Sequence, residues 1–389
     1  MPETDFKPIA PGNRIPIIDI LRGWALLGVV VMNYADFYLV GMGDNPKLDS
    51  ASNALMTVLN FVFASKSWTL LSFLFGYGFS VIMQNSRVKN VNGNMFFLKR
   101  MFWLFVLAFI DSAFFFGDIL KDYAFLGLVL LLFSNFTAKT SLYTSAVIFL
   151  LIPVVTSLVT RLYGNPGMGL FTPYLHLYAG HSIPDIFWFG LIGTWKGQII
   201  NLNCTGTVHT VMFCCFLLGQ AAQKAAFFEK MEQNKPVIKK IWLGSLFLSF
   251  IAIALNIAFT KPAFITNYFN PDYWEVLFIM IFTAASICLL YMAGKLRSFF
   301  ISLQAIGKMT LTNYIVQNLI SIFLFSGLGF GLALTHKLLL PYYYMLGLLV
   351  YILQVYFSKW WLGRFYYGPI EWLWRQLSYG KRLGIKIKR

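Results

Sequence analysis

Asp19 and Arg22 stand three residues apart in Ile18-Asp19-Ile20-Leu21-Arg22-Gly23, at the start of a long apolar run. On a helix that spacing puts carboxylate and guanidinium on one face, where they neutralise each other. Two chemistries fit. One is an interfacial ion pair that fixes the depth of the helix; the other is an anion clamp in which Arg22 meets the headgroup of a substrate or donor. Gly23 and Gly28 permit close approach of a helix or a ligand. Asn33 follows Asp19 by fourteen residues, about 21 Å along a helix, so one helix can reach both faces of a membrane.

A second group comprises Asp111, then Gly117-Asp118-Ile119-Leu120 with Asp122-Tyr123-Ala124. Three carboxylates between two apolar runs read either as a solvated turn or as an acid/base cluster able to hold and pass a proton. A third, Gly307-Lys308-Met309-Thr310-Leu311-Thr312-Asn313-Tyr314 with Gln317, brings hydroxyl, amide and phenol groups into a span, for helix packing or for a substrate groove. Gly368-Pro369-Ile370-Glu371-Trp372-Leu373-Trp374-Arg375 reads as an interfacial anchor after the last span. Cys204, Cys214, Cys215 and Cys288 lack metal spacing, and no phosphate loop or His-Glu-x-x-His is present. No metal and no permanently bound cofactor is expected, and soluble-enzyme chemistry and an ATP-driven pump are disfavoured.

These residues need a membrane scaffold. Of 389 residues 58% are hydrophobic and only 12% charged, about half the charge of an average soluble domain, and the mean hydropathy is +0.67. The sequence predicts an all-α, polytopic bundle, one transmembrane domain over residues 1–389. At about 20 residues per crossing, spans fall near 16–38, 56–83, 96–116, 118–135, 142–162, 205–222, 238–259, 273–294, 309–334 and 340–362. The net charge of +16 is a topology signal rather than a nucleic-acid footprint. Basic segments at 84–100, 223–240, 295–308 and 359–389 alternate with basic-poor ones, which makes them and both termini cytoplasmic. Asp36, Asp44, Asp49, Asp111, Asp118, Asp122, Asp185, Asp272 and Glu275 then lie on or near the outer side, as do His176, His181, His209 and His336. The longest connection, 163–204, is also outer and carries an amphipathic interfacial stretch at 186–200.

The motifs together resemble the YeiB-like family of bacterial membrane proteins, a domain of unknown function. The likeness rests on Arg14 with Asp19-Ile20-Leu21-Arg22-Gly23-Trp24-Ala25-Leu26-Leu27-Gly28 and Asn33, and on Leu71-Ser72-Phe73-Leu74-Phe75-Gly76-Tyr77-Gly78. Arg100, Gly117-Asp118-Ile119-Leu120, Tyr123-Ala124, the Gly307 to Tyr314 stretch and Phe365 to Arg375 continue it in order. The resemblance implies a multi-pass protein of the bacterial inner membrane. The opening motif is also similar to that of two groups of membrane acyltransferases, the heparan-alpha-glucosaminide N-acetyltransferases and the acyltransferase-3 O-acetylases. Asn33 matches the heparan type at a position where the O-acetylases carry His. Where many YeiB-like members have a His shortly before Gly-Asp-Ile-Leu, this chain has Asp111.

The leading expectation is therefore acyl transfer from a cytoplasmic donor such as acyl-CoA, a co-substrate, to an outward-facing or lipid-linked acceptor, lipid or glycan. Such a reaction needs a base, oxyanion donors and an anion site. Asp19, Arg22 and Gly23, with Arg100 and Lys308, are expected at the donor; Asp111, Asp118, His176 or His181 as the base; Asn33 and Tyr123 in orienting or oxyanion contacts. The alternatives are a transporter or flippase for a lipophilic or anionic small molecule, and a non-catalytic partner in envelope biosynthesis. The expected partners are the bilayer, donor and acceptor, and further copies of the chain, but no nucleic acid.

Overall fold

Pro16, which needs no N–H partner in the first helical turn, starts helix α1 (Pro16–Leu39). Apolar residues all round this helix predict burial on every side, and Ile17, Leu21, Leu26, Val30, Ala35 and Phe37 are almost fully buried. The structure, a computed structural model, describes residues 14–42, 48–164, 167–259, 268–328 and 332–387; Asp44 lies outside them. The second apolar run is two helices, α2 (Ser50–Val62) and α3 (Lys66–Val88), broken at Ser65, whose φ is +59°. Asp49 caps α2 by accepting the N–H groups of Ala51 and Ser52 at 3.1 and 3.0 Å. Lys66, a cation inside an apolar run, sits at the break and donates to Asn60 O at 3.0 Å, where the carbonyl end of α2 favours positive charge.

Helix α4 (Gly93–Ser112) leads to the short α5 (Leu120–Leu131). Arg87 at the end of α3 and Lys224, which ends the later helix His209–Lys224, both donate to Ser134 O, at 3.3 and 2.9 Å. The end of α5 thus lies among basic helix ends, and α5 returns across the bundle. Helix α6 (Ala138–Tyr163) contains Pro153, which has no N–H for Phe149 O four residues earlier. The Trp274 indole N–H takes that place at 2.7 Å, so no carbonyl is stranded in an apolar medium. The long connection folds as a 3-10 helix (Met168–Tyr174), α7 (Leu175–Ala179), α8 (Ile183–Ile192) and two π-helical turns, Gly193–Ile199 and Cys204–Val208. The remaining helices are α9 (His209–Lys224), α10 (Lys235–Phe259), α11 (Asp272–Met292), α12 (Arg297–Gly307), α13 (Thr310–Phe325), α14 (Leu340–Leu362) and α15 (Pro369–Tyr379).

Among the described residues eight helical stretches are long and apolar enough to cross a membrane. The shorter α5 and α13 complete the antiparallel alternation, which leaves Arg14 and α15 on the same, basic side. The described residues form an all-α, multi-pass membrane bundle, whose basic helix ends are the cytoplasmic side by the positive-inside rule. Two crossings are tight enough to require glycine. A Cβ on Gly23 of α1 would lie 2.1 Å from Leu303 O of α12, and one on Gly219 of α9 would lie 1.9 Å from Phe73 O of α3. At the outer end Phe37 stacks on Phe325 at 4.5 Å between ring centres and contacts Phe115, Phe116 and Tyr178 at 5.5–5.8 Å. Phe171 and Phe189 extend this aromatic plug.

Candidate functional site

Opposite the plug, a cavity of about 770 Å³ opens between α1, α3, α4, α15 and the α12–α13 junction. Its lining includes six basic residues, Arg14, Arg22, Lys89, Arg100, Lys308 and Arg375, against three acidic ones, Asp19, Glu229 and Glu371. Farther in, the walls become apolar (Leu71, Leu74, Phe97, Met101, Leu104, Ile119) and end at Tyr123 and Tyr314. A cationic mouth with an apolar throat matches an amphipathic anion.

The mouth is built by four elements. Asp19 and Arg22 pair at 3.2 Å, as their spacing on α1 requires, yet Asp19 Oδ2 has no partner and the Arg22 side chain is 32% exposed. Arg100 of α4 lies 3.6 Å from the ring centre of Trp374, whose indole donates to Arg100 O at 3.0 Å. Arg375 lies 4.6 Å from the ring of Tyr367. None of Arg100, Lys308 and Arg375 has a carboxylate within 4.0 Å among the described residues. Aromatic faces hold the two guanidiniums without satisfying their charge, which leaves their donors for an anion. Burial, and then the neighbouring Arg14 cation, hold Arg375 below the ordinary arginine range. Glu371 does not neutralise it, because its carboxylate accepts Leu311 N–H at 2.7 Å and Thr312 N–H at 3.1 Å at the start of α13. Burial pushes the Glu371 carboxyl up, and those hydrogen bonds oppose the shift.

Asp118 and Asp111 stand behind the inner end of the cavity. The Tyr314 hydroxyl, in the lining, donates to Asp118 Oδ1 at 3.1 Å, and Leu120 N–H donates to the same oxygen at 3.2 Å. Asn318 Nδ2 donates to Asp111 Oδ2 at 2.7 Å. Both acids are fully buried, and Tyr314 and Asn318, one turn apart on α13, hold them side by side. Asp111 Oδ1 and Asp118 Oδ2 have no hydrogen-bond partner. Two neighbouring buried carboxyls without a cation on either side chain among the described residues are costly to keep both ionised, which favours a proton held on the pair. The Tyr123 hydroxyl donates to Trp68 O at 3.0 Å and accepts from Ser72 at 3.2 Å, which fixes the ring in the wall.

Of the residues singled out in the sequence, Asp19, Arg22, Arg100, Lys308 and Tyr123 thus line one cavity, with Asp111 and Asp118 behind it. Gly23 is a packing residue at the α12 crossing. Asn33 is half-buried on the outer half of α1 and is not in the lining. His176 is exposed on α7, and His181 Nδ1 lies 2.5 Å from Gly327 O; neither reaches the cavity. Glu371, Trp374 and Arg375 belong to the cavity wall rather than to a simple interfacial anchor. Their one sequence signal is a Glu-Arg pair, four residues apart, among tryptophans. Asn318 carried no signal, since an amide inside an apolar helix reads as packing. Among the described residues, no three His, Cys, Asp or Glu side chains gather as a metal site would need.

The family profile described as "Protein of unknown function (DUF418)" matches residues 222–381, the part that supplies Glu229, Lys308, Tyr314 and the α15 wall. The chain is 28% identical to "Uncharacterized protein YxaH" of Bacillus subtilis (strain 168), over 97% of each chain. It is 27% identical to "Uncharacterized 39.9 kDa protein in amylase 3'region" of Bacillus acidopullulyticus, over 99% of each. It is also 24% identical to "Uncharacterized protein YeiB" of Escherichia coli (strain K12), over 94% of this chain and 96% of that one. No solved structure matches. The profile covers the C-terminal part of the cavity wall and the relatives align with nearly the whole chain, so the chain is similar to the YeiB-like DUF418 proteins.

Proposed function

We propose that the protein is a membrane-embedded acyltransferase that takes an acyl group from a cytoplasmic acyl-CoA-like donor and gives it to an outward-facing or lipid-linked hydroxyl acceptor. One observation carries this reading: six basic side chains line a cavity whose apolar throat ends next to a buried carboxyl pair. The cations suit the phosphates of the donor, the throat its thioester arm, and Asp111–Asp118 the proton transfer. The similarity of the opening Asp-x-x-Arg-Gly motif to membrane acyltransferases points the same way.

In the proposed reaction the acceptor oxygen attacks the thioester carbonyl carbon, a C–O bond forms and the C–S bond breaks. The carboxyl pair takes the acceptor's proton and returns one to the departing thiolate, so ester and free thiol are the only products. Tyr314, hydrogen-bonded to Asp118, fixes that carboxyl at the end of the throat. Purified protein mixed with labelled acyl-CoA and cell-envelope lipids or glycans should transfer label. Transfer that survives both Arg22→Ala and Asp118→Asn would reject the site.

A transporter or flippase is the second reading, favoured by the buried acids Asp111 and Asp118. It predicts uptake of an anionic or lipophilic solute into proteoliposomes without covalent change. Assignment to the bacterial inner membrane belongs to the same proposal and is checked by fractionation.

A further inference from the structure

The aromatic plug closes the direct route along α1 from the Asp111–Asp118 pair to the outer face. Beside it, a line of ionisable side chains continues outward. Lys121 Nζ donates to Asp118 O at 2.5 Å and to Asp122 Oδ2 at 3.1 Å, and it also bonds Gln198 Oε1. Asp122 Oδ1 lies 3.0 Å from His209 Nε2. The Lys121 and Asp122 side chains are 9% and 12% exposed, while His209 at the outer end is 20% exposed. His209 follows the π-helical turn Cys204–Val208, an irregularity frequent at functional sites. A buried lysine and aspartate in a membrane core are costly, and such residues characteristically mark proton or ion pathways.

We propose that His209, Asp122 and Lys121 form a proton path through which the Asp111–Asp118 pair exchanges its proton with the outer face. A proton from outer water binds His209. On swinging from the Asp118 main-chain carbonyl, which it bonds in the structure, to the carboxyl of the same residue, the Lys121 ammonium gives one proton to the pair; Asp122, protonated by His209, then returns one to Lys121. Each intermediate group returns to its starting state, and one proton has moved inward. His209 is faced by Asp122 and Lys121 from α5; Tyr123 of α5, Cys204 of the preceding turn and, next to it, Tyr273 of α11 are further ionisable groups beside the line among the described residues. The path stands whichever reaction the cavity serves, because it concerns only the side from which the pair is protonated.

The test uses full-length protein in right-side-out and inside-out membrane vesicles with internal pH clamped. The readout is the infrared C=O stretching band of the protonated carboxyl pair, assigned by its loss in Asp111→Asn. A pH step at the outer face should titrate the band, and the same step at the cytoplasmic face should change it far more slowly. His209→Gln should abolish the fast outer response. Asp122→Asn breaks the same line at another link and gives the same reading where His209→Gln does not fold. The proposal is overturned if the band follows cytoplasmic-side pH, or if the folded variants respond to outer pH as the wild type does. Because no acyl transfer is measured, failure here is distinct from failure of the acyltransferase reading.

Discussion

Glu371 and Thr312 lock two helix beginnings together. The Thr312 hydroxyl donates to Glu371 Oε2 at 2.5 Å and accepts the Ile370 N–H at 3.0 Å, while Glu371 Oε1 accepts the Thr312 N–H at 3.1 Å. Each helix start thereby satisfies an orphan donor of the other, a capping box made between helices instead of within one. The lock holds α15 against α13, which keeps Arg375 and Trp374 in the cavity wall.

Glu371→Ala should lower the stability of the purified protein by about 1–3 kcal/mol, the cost of leaving buried donors unpaired, read as a fall in Tm. Burial raises the Glu371 carboxyl in the folded state. Its contribution is therefore greatest below the ordinary glutamate range and falls as pH rises through the folded value. Glu371→Gln, which keeps an acceptor without the charge, should be nearly as stable as the parent at acidic pH and relatively more stable at neutral pH. A parent-minus-Gln difference in Tm that is flat across this window would contradict the assignment.

Arg100 and Arg375 rest on aromatic rings, with no carboxylate within 4.0 Å of either among the described residues. If they receive anionic phosphates, free coenzyme A should raise Tm, and Arg100→Met should weaken its binding roughly tenfold or more, since a charge-assisted hydrogen bond contributes about 1.5–3 kcal/mol. Titration calorimetry at two salt concentrations checks this. The affinity lost on adding salt should be smaller in the variant, because one cation fewer is screened.

Gly23 has no room for a methyl group, since its Cβ would meet Leu303 O at 2.1 Å. Gly23→Ala should force α1 and α12 apart at a cost of roughly 1–3 kcal/mol, seen as lower Tm and reduced yield. The same substitution at Gly244, where nothing lies within 4 Å of the added carbon, should leave both unchanged.

Trp274 serves the carbonyl that Pro153 leaves open. Trp274→Phe should destabilise by about 1–3 kcal/mol, whereas in a Pro153→Ala background the restored N–H can bond Phe149 O and the same change should cost less. A double-mutant cycle on Tm or unfolding free energy measures that coupling; strict additivity would show the two residues to be unrelated.

The membrane crossings were legible in the sequence because hydropathy and the distribution of lysine and arginine register length and side directly. The left-handed turn at Ser65 that divides the second run left no pattern in the sequence. The site was legible only in part. Arg22, Arg100 and Lys308 line one cavity as expected, because Arg22 and Arg100 lie within the first turns of α1 and α4 and Lys308 caps the end of α12. Which helices surround a common space depends on backbone approaches such as Gly23 on Leu303, and these are set by three-dimensional packing. Hence α15 looked like an anchor although it is a wall, and His176 and His181 looked available as bases although the loop holds them apart from the cavity. The line from Lys121 to His209 was hidden for the same reason, as α5 and α9 are distant in sequence.

The cavity also shapes the electric field across the bilayer. The cavity reaches from the basic helix ends inward to Tyr123 and Tyr314, so when filled with water and ions it would bring the potential of that side deep into the protein. A charge crossing the remaining layer would then exchange a large share of the electrical work, about 2.3 kcal/mol per elementary charge at 100 mV for the full span. In that state the membrane voltage would act on protons moving to and from Asp111 and Asp118 without any movement of a helix.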